Sequence, residues 1–153
     1  MDETTALDVL RNYWDRKLPV NPAAIARKMG VELKGDPDLS YSGHYHYNSG
    51  SPVITYKAVE YRPRLRFTIA HELGHHVNGD IEAPRDDAES FSARSRDPIE
   101  VAANQFAAAL LMPEPVVKYL IREQGVTDLD DLADRFGVST VAMQFRLRNL
   151  GLI

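Results

Sequence analysis

The chain has 153 residues, of which 44% are hydrophobic and 26% charged, with 22 acidic against 18 basic side chains and a net charge of −4. This is the composition of one globular domain, or one domain with a small appendix, able to bury a core without staples. It excludes wholesale disorder and argues against a general nucleic-acid binder, and no apolar run approaches the ~20 residues that a membrane span needs.

The absence of cysteine removes disulfides, a thiol nucleophile and Cys-ligated zinc, and it fits a reducing cytoplasm. The acidic start, Met1-Asp2-Glu3, has no apolar h-region, so a cytoplasmic location is expected.

A first helix is predicted to begin after Thr4 or Thr5, with Leu7, Leu10 and Trp14 as one stripe and Leu18 a turn further on. A short second helix is punctuated by Asn21 as cap, Pro22 in its first turn and Gly30 at its end, with Ile25 and Met29 facing inward. Residues 31–33 alternate like a strand. Two further strands are predicted at 41–47 and 52–56, joined by the turn residues Asn48-Ser49-Gly50. Together they suggest a small antiparallel sheet, with residues 52–56 as an exposed edge that could hold an extended peptide by backbone hydrogen bonds.

From 63 to 78 the period becomes helical. Phe67, Ile69, Ala70, Leu73, Gly74 and Val77 fall on one arc, which predicts a half-buried helix. Residues 79–98 carry many charges and few large apolar side chains, the signature of a long exposed loop. A helix follows over 97–112, with Ile99, Ala103, Phe106 and Leu110 on its core face. Pro113 opens another, ending near Gly125. Thr127 with Asp130 signals the start of a short helix that Gly137 stops, and Ser139 caps a last one. The chain divides into residues 1–125 and a C-terminal helical pair, 126–153, packed on the same core. The pair has helix-turn-helix spacing, with Arg146 and Arg148 on its second helix as possible DNA contacts. Asp128, Asp130, Asp131 and Asp134 crowd its first helix and would repel phosphates.

The chemistry centres on His71-Glu72-Leu73-Gly74-His75. Residues four apart on a helix lie one above the other, so both imidazoles can reach one cation. Glu72 lies about 100° round from His71, where it can address a water without binding the metal. A catalytic zinc takes three protein ligands and leaves one position for water. Glu100 is the favoured third ligand because it opens a turn of the later helix, with Asn104 and Ala107 following on the same face. Asp80, Glu82 and Asp97 compete with it. A second donor for the oxyanion could be His44, His46, Tyr56 or His76.

Arg66-Phe67-Thr68-Ile69-Ala70-His71-Glu72-Leu73-Gly74-His75 resembles the RFTLAHELGH block of the ImmA/IrrE metallopeptidases. Glu100-Val101-Ala102-Ala103-Asn104-Gln105-Phe106, continuing through Ala107-Ala108-Ala109-Leu110-Leu111-Met112-Pro113, resembles that family's E-x-x-A-N-x-F-A-x-x-L-L-M-P block. The resemblance is weaker at 20–31, returns at 132–152, and leaves 79–98 unmatched. It implies an α+β, zincin-like fold in which His71, His75 and Glu100 bind one Zn2+, with Mn2+ or another divalent ion as the substitute, and Glu72 is the catalytic base. It further implies an endopeptidase acting on a specific cytoplasmic protein, a helix-turn-helix repressor of mobile-element or stress-response genes. The alternative is a non-cleaving repressor-binding or toxin–antitoxin-type partner on the same scaffold.

Overall fold

A computed structural model describes residues 3–80 and 97–153. Seven helices and three strands follow one another along these residues. Helix α1 (Glu3–Tyr13) buries Ala6, Val9 and Leu10, so its inward face is turned slightly from the predicted stripe, and Leu7 is only partly buried. In α2 (Pro22–Lys28) the Asn21 side chain accepts from the Ala24 amide and Pro22 fills the first turn.

The sheet is mixed, not antiparallel throughout. Its order is β1-β3-β2, where β1 is Glu32–Asp36, β2 is Gly43–Asn48 and β3 is Ser51–Lys57. The β2–β3 hairpin is antiparallel and turns over Ser49 and Gly50, both at positive φ, the two-residue geometry that matches strand twist. Strand β1 runs parallel to β3, pairing Leu33 with Ile54. The physical reason lies in side-chain character. Val53 and Ile54 are consecutive and both fully buried, so β3 is covered on both faces and takes the centre. Glu32, Lys34 and Asp36 make β1 a polar edge. Residues 52–56 are therefore not an exposed edge, because the partner strands occupy both of their sides. The outer strands are β1 and β2.

Helix α3 (Arg62–Val77) packs across the sheet and against α4 (Pro98–Leu111). Its buried side extends beyond the predicted apolar arc. Besides Ile69, Ala70 and Leu73, the polar residues Arg66, Thr68, His71, Glu72 and His75 are all buried. Its polar face meets β2 and α4 instead of water. At Gly74 an added Cβ would lie 3.1 Å from the Ala103 Cα and 3.2 Å from the Phe106 ring, so glycine sets the close crossing of α3 and α4.

Beyond α5 (Glu114–Arg122) come α6 (Leu129–Phe136) and α7 (Thr140–Asn149). Asp128 caps α6, accepting from the Asp130 amide, in place of the predicted Thr127. Ser139 caps α7 as predicted. Leu132, Phe136, Met143 and Leu147 join the same hydrophobic cluster as α1, α3 and α4. Two buried arginines fasten this pair. Arg66 of α3 donates through Nε to the Gly137 carbonyl at 3.1 Å and through its terminal nitrogen to the Val20 carbonyl. Arg146 of α7 donates to the Met112 carbonyl at 3.0 Å and grips the Glu3 carboxylate with both terminal nitrogens. Arg146, weighed from the sequence as a possible DNA contact, is thus 6% exposed and committed inward, as a helical pair packed on the core requires. Hydrogen bonds from charged groups contribute about 1.5–3 kcal/mol each. Arg66→Ala is expected to lower unfolding free energy by about 3 kcal/mol, read as a lower urea midpoint. An unchanged midpoint would remove Arg66 from the account of how the tail is held.

Among the described residues no helix is long and apolar enough to cross a membrane.

Candidate metal centre

Residues 68–75 put His71, Glu72 and His75 into the interior from one helix, because a spacing of four stacks the two rings on the same side. Asp97 caps α4, its carboxylate accepting from the Ile99 amide, and Pro98 sets the first turn. That start places Glu100 in the opening turn of α4, 5% exposed. The Gly74–Ala103 crossing then brings it against the histidines.

Two ring nitrogens and the two oxygens of one carboxylate converge. His71 Nε2 lies 2.8 Å from Glu100 Oε2, His75 Nε2 lies 3.3 Å from Glu100 Oε1, and the two Nε2 atoms are 3.2 Å apart. Ligands held at about 2.0–2.2 Å around a tetrahedral zinc stand about 3.3–3.5 Å from one another. Two imidazole nitrogens and a carboxylate at nearly these separations, buried and free of sulfur, fit a small divalent cation. The Glu72 carboxylate is also buried and lies within 4.8 Å of a donor nitrogen on each ring. The Glu100 carboxylate lies 2.8 and 3.3 Å from the two rings, with that of Glu72 alongside.

The other sequence candidates lie elsewhere. Asp97 is spent on its cap, and Glu82 falls outside the described residues. Asp80 sits behind His75, its Oδ2 2.9 Å from His75 Nδ1. His71 Nδ1 faces Asn104 Oδ1 at 2.8 Å. The sequence offered Asp80 as a competing ligand, not as the partner of a ring, and gave Asn104 no role beyond sharing the face of Glu100, which it follows by one helical turn. Of the candidate oxyanion donors, His44 and His46 stack on β2 with ring centres 4.9 Å apart, and His46 Nε2 is 3.0 Å from Thr55 Oγ1. The Tyr56 hydroxyl packs over Gly35. His76 Nδ1 lies 2.8 Å from the Tyr45 hydroxyl. Burial raises the Tyr45 pKa and lowers that of His76, so the phenol donates to a neutral ring.

Strand β2 comes very close to Glu72. A Cβ built on Gly43 would stand 2.4 Å from the Thr68 methyl and 3.2 Å from Glu72 Oε2. Only glycine lets the strand backbone approach the carboxylate this closely.

The chain is 36% identical over 123 residues to the radiation response metalloprotease IrrE of Deinococcus radiodurans, covering 77% of this chain and 37% of that protein. Its fold matches a Mycobacterium tuberculosis transcriptional regulator with a TM-score of 0.69 at 19% identity, over 95% of this chain and 45% of that one. The chain therefore spans less than half the length of either relative. The sequence pattern described as the IrrE N-terminal-like domain matches residues 26–148, and the chain belongs to that family.

Proposed function

We propose that this chain is a zinc-dependent endopeptidase in which His71, His75 and Glu100 hold the metal and Glu72 is the general base. The observation that carries the reading is the buried triangle of two imidazole nitrogens and one carboxylate, with edges of 2.8, 3.2 and 3.3 Å and a second carboxylate alongside. When bound there, zinc would supply a Lewis acid for the peptide carbonyl and acidify the attacking water. Glu72 takes a proton from that water as it adds to the carbonyl and returns it to the departing amine, so no net proton is consumed at the carboxylate. The burial of Glu72 keeps this proton from exchanging with bulk solvent, and the fixed α3–α4 crossing holds the base in register with the donors.

The substrate in this reading is a specific cytoplasmic regulator, a helix-turn-helix repressor. Family membership and likeness to a radiation response metalloprotease support a regulatory substrate over bulk protein. An extended segment of it would lie along β2, an outer strand that passes the base at Gly43. The inward commitment of Arg146 supports a tail that completes the core and does not read DNA.

The test is to purify the chain, measure its metal, and mix it with the product of a neighbouring gene that encodes a helix-turn-helix repressor. About one zinc per chain is expected, with discrete repressor fragments that vanish on chelation and return with zinc. A chain that takes up no zinc would overturn the metal assignment. A metal-loaded chain that leaves the repressor intact in a stable complex would overturn cleavage in favour of a non-cleaving partner.

A further inference from the structure

The two histidines of the triangle are backed by different chemistry. His71 Nδ1 meets the side-chain oxygen of Asn104, a neutral acceptor on α4. His75 Nδ1 meets a carboxylate oxygen of Asp80, just past the end of α3. With a cation held between the rings and Glu100, each Nε2 would give it a lone pair, and each Nδ1 would carry the hydrogen that its oxygen accepts. Asp80 is itself held in place. Its backbone amide donates to the His75 carbonyl at 3.0 Å, and the Asn78 side-chain amide donates to its other carboxylate oxygen at 3.1 Å. Gly79, at φ 81°, makes the turn that brings residue 80 back over the helix end.

We infer that Asp80 and Asn104 are positioning residues with unequal charge, which aim the two rings and divide the control of metal binding between them. This rests on the reading of His71, His75 and Glu100 as metal ligands. Asp80 strengthens His75 as a donor, because a carboxylate accepting the Nδ1 hydrogen pushes electron density onto the ring and adds negative charge near the cation. Asn104 fixes the His71 ring equally well in direction and adds no charge. With Asn104 in place of a second carboxylate, a bound cation would keep more of its positive charge for the substrate carbonyl.

The inference makes predictions of opposite sign for two isosteric changes. Zinc affinity is measured by competition with a chromophoric chelator, and folding by circular dichroism and urea midpoint. Asp80→Asn keeps an acceptor and removes the charge, and it is expected to weaken zinc binding about 10-fold. Asn104→Asp adds the charge, and it is expected to tighten zinc binding about 10-fold while slowing cleavage by the zinc-loaded protein. Asp80→Ala, which loses aim as well as charge, should weaken binding beyond Asp80→Asn, up to about 100-fold. A purely structural role would make both isosteric variants weaker. Wild-type protein that binds zinc, with Asp80→Asn and Asn104→Asp equal to it or both weaker, would overturn the inference and leave the metal site standing. Wild-type protein that binds no zinc would overturn both.

Discussion

Replacing Glu72 by glutamine is expected to leave zinc bound and to slow cleavage about 10³-fold, within the range that a positioned general base contributes. Glutamine keeps the length and shape of the side chain, so the α3–α4 crossing and the donor triangle are undisturbed. It cannot take the proton from the attacking water. The change also replaces a fully buried carboxylate by a neutral amide, which removes the cost of holding a charge away from water. The metal-free variant should therefore be at least as stable as the wild type. Three readings separate the possibilities: zinc per chain, urea midpoint, and the rate of fragment formation from the repressor. A variant that holds zinc and cuts at the wild-type rate would show that another group takes the proton. A variant that loses zinc would show that Glu72 belongs to the ligand set, where its distance from the ring nitrogens also allows it to be weighed.

What the sequence made legible is what depends on local spacing. The 71/75 spacing aligns two rings on any helix, and the Asn21 and Ser139 caps with Gly137 mark helix ends within a residue or two. Glu100 was reachable because it starts a helix whose apolar face had to return to the core. Strand order was not legible, since pairing is set by burial across the whole sheet. The one local clue was Val53 next to Ile54, two consecutive apolar residues where a strand with one solvated face would alternate. The polar face of α3 misled for a related reason. Polar side chains normally imply solvent, but Arg66, His71, Glu72 and His75 lie inside, where carbonyls, carboxylates and each other satisfy them. The partner of Arg146 was not legible either, because its guanidinium meets Glu3 at the other end of the described chain, a pairing that no local pattern announces.

Gly43→Ala is expected to lower kcat about 10²-fold with zinc still bound. The added methyl would stand 2.4 Å from the Thr68 methyl, well inside van der Waals contact, so β2 must retreat from α3 by about 1 Å or Glu72 must turn away. Displacements of that size near reacting groups cost about 10² in rate. The donor triangle lies between α3 and α4 and does not depend on where β2 sits, so zinc content should remain near one per chain. Overpacking should also lower stability by about 1–3 kcal/mol, measurable as an earlier urea midpoint. A fall in rate together with loss of zinc would show that β2 supports the metal centre itself. A variant with wild-type kcat and midpoint would show that the strand can yield at no cost, and the close passage of β2 beside Glu72 would then carry no part of the mechanism.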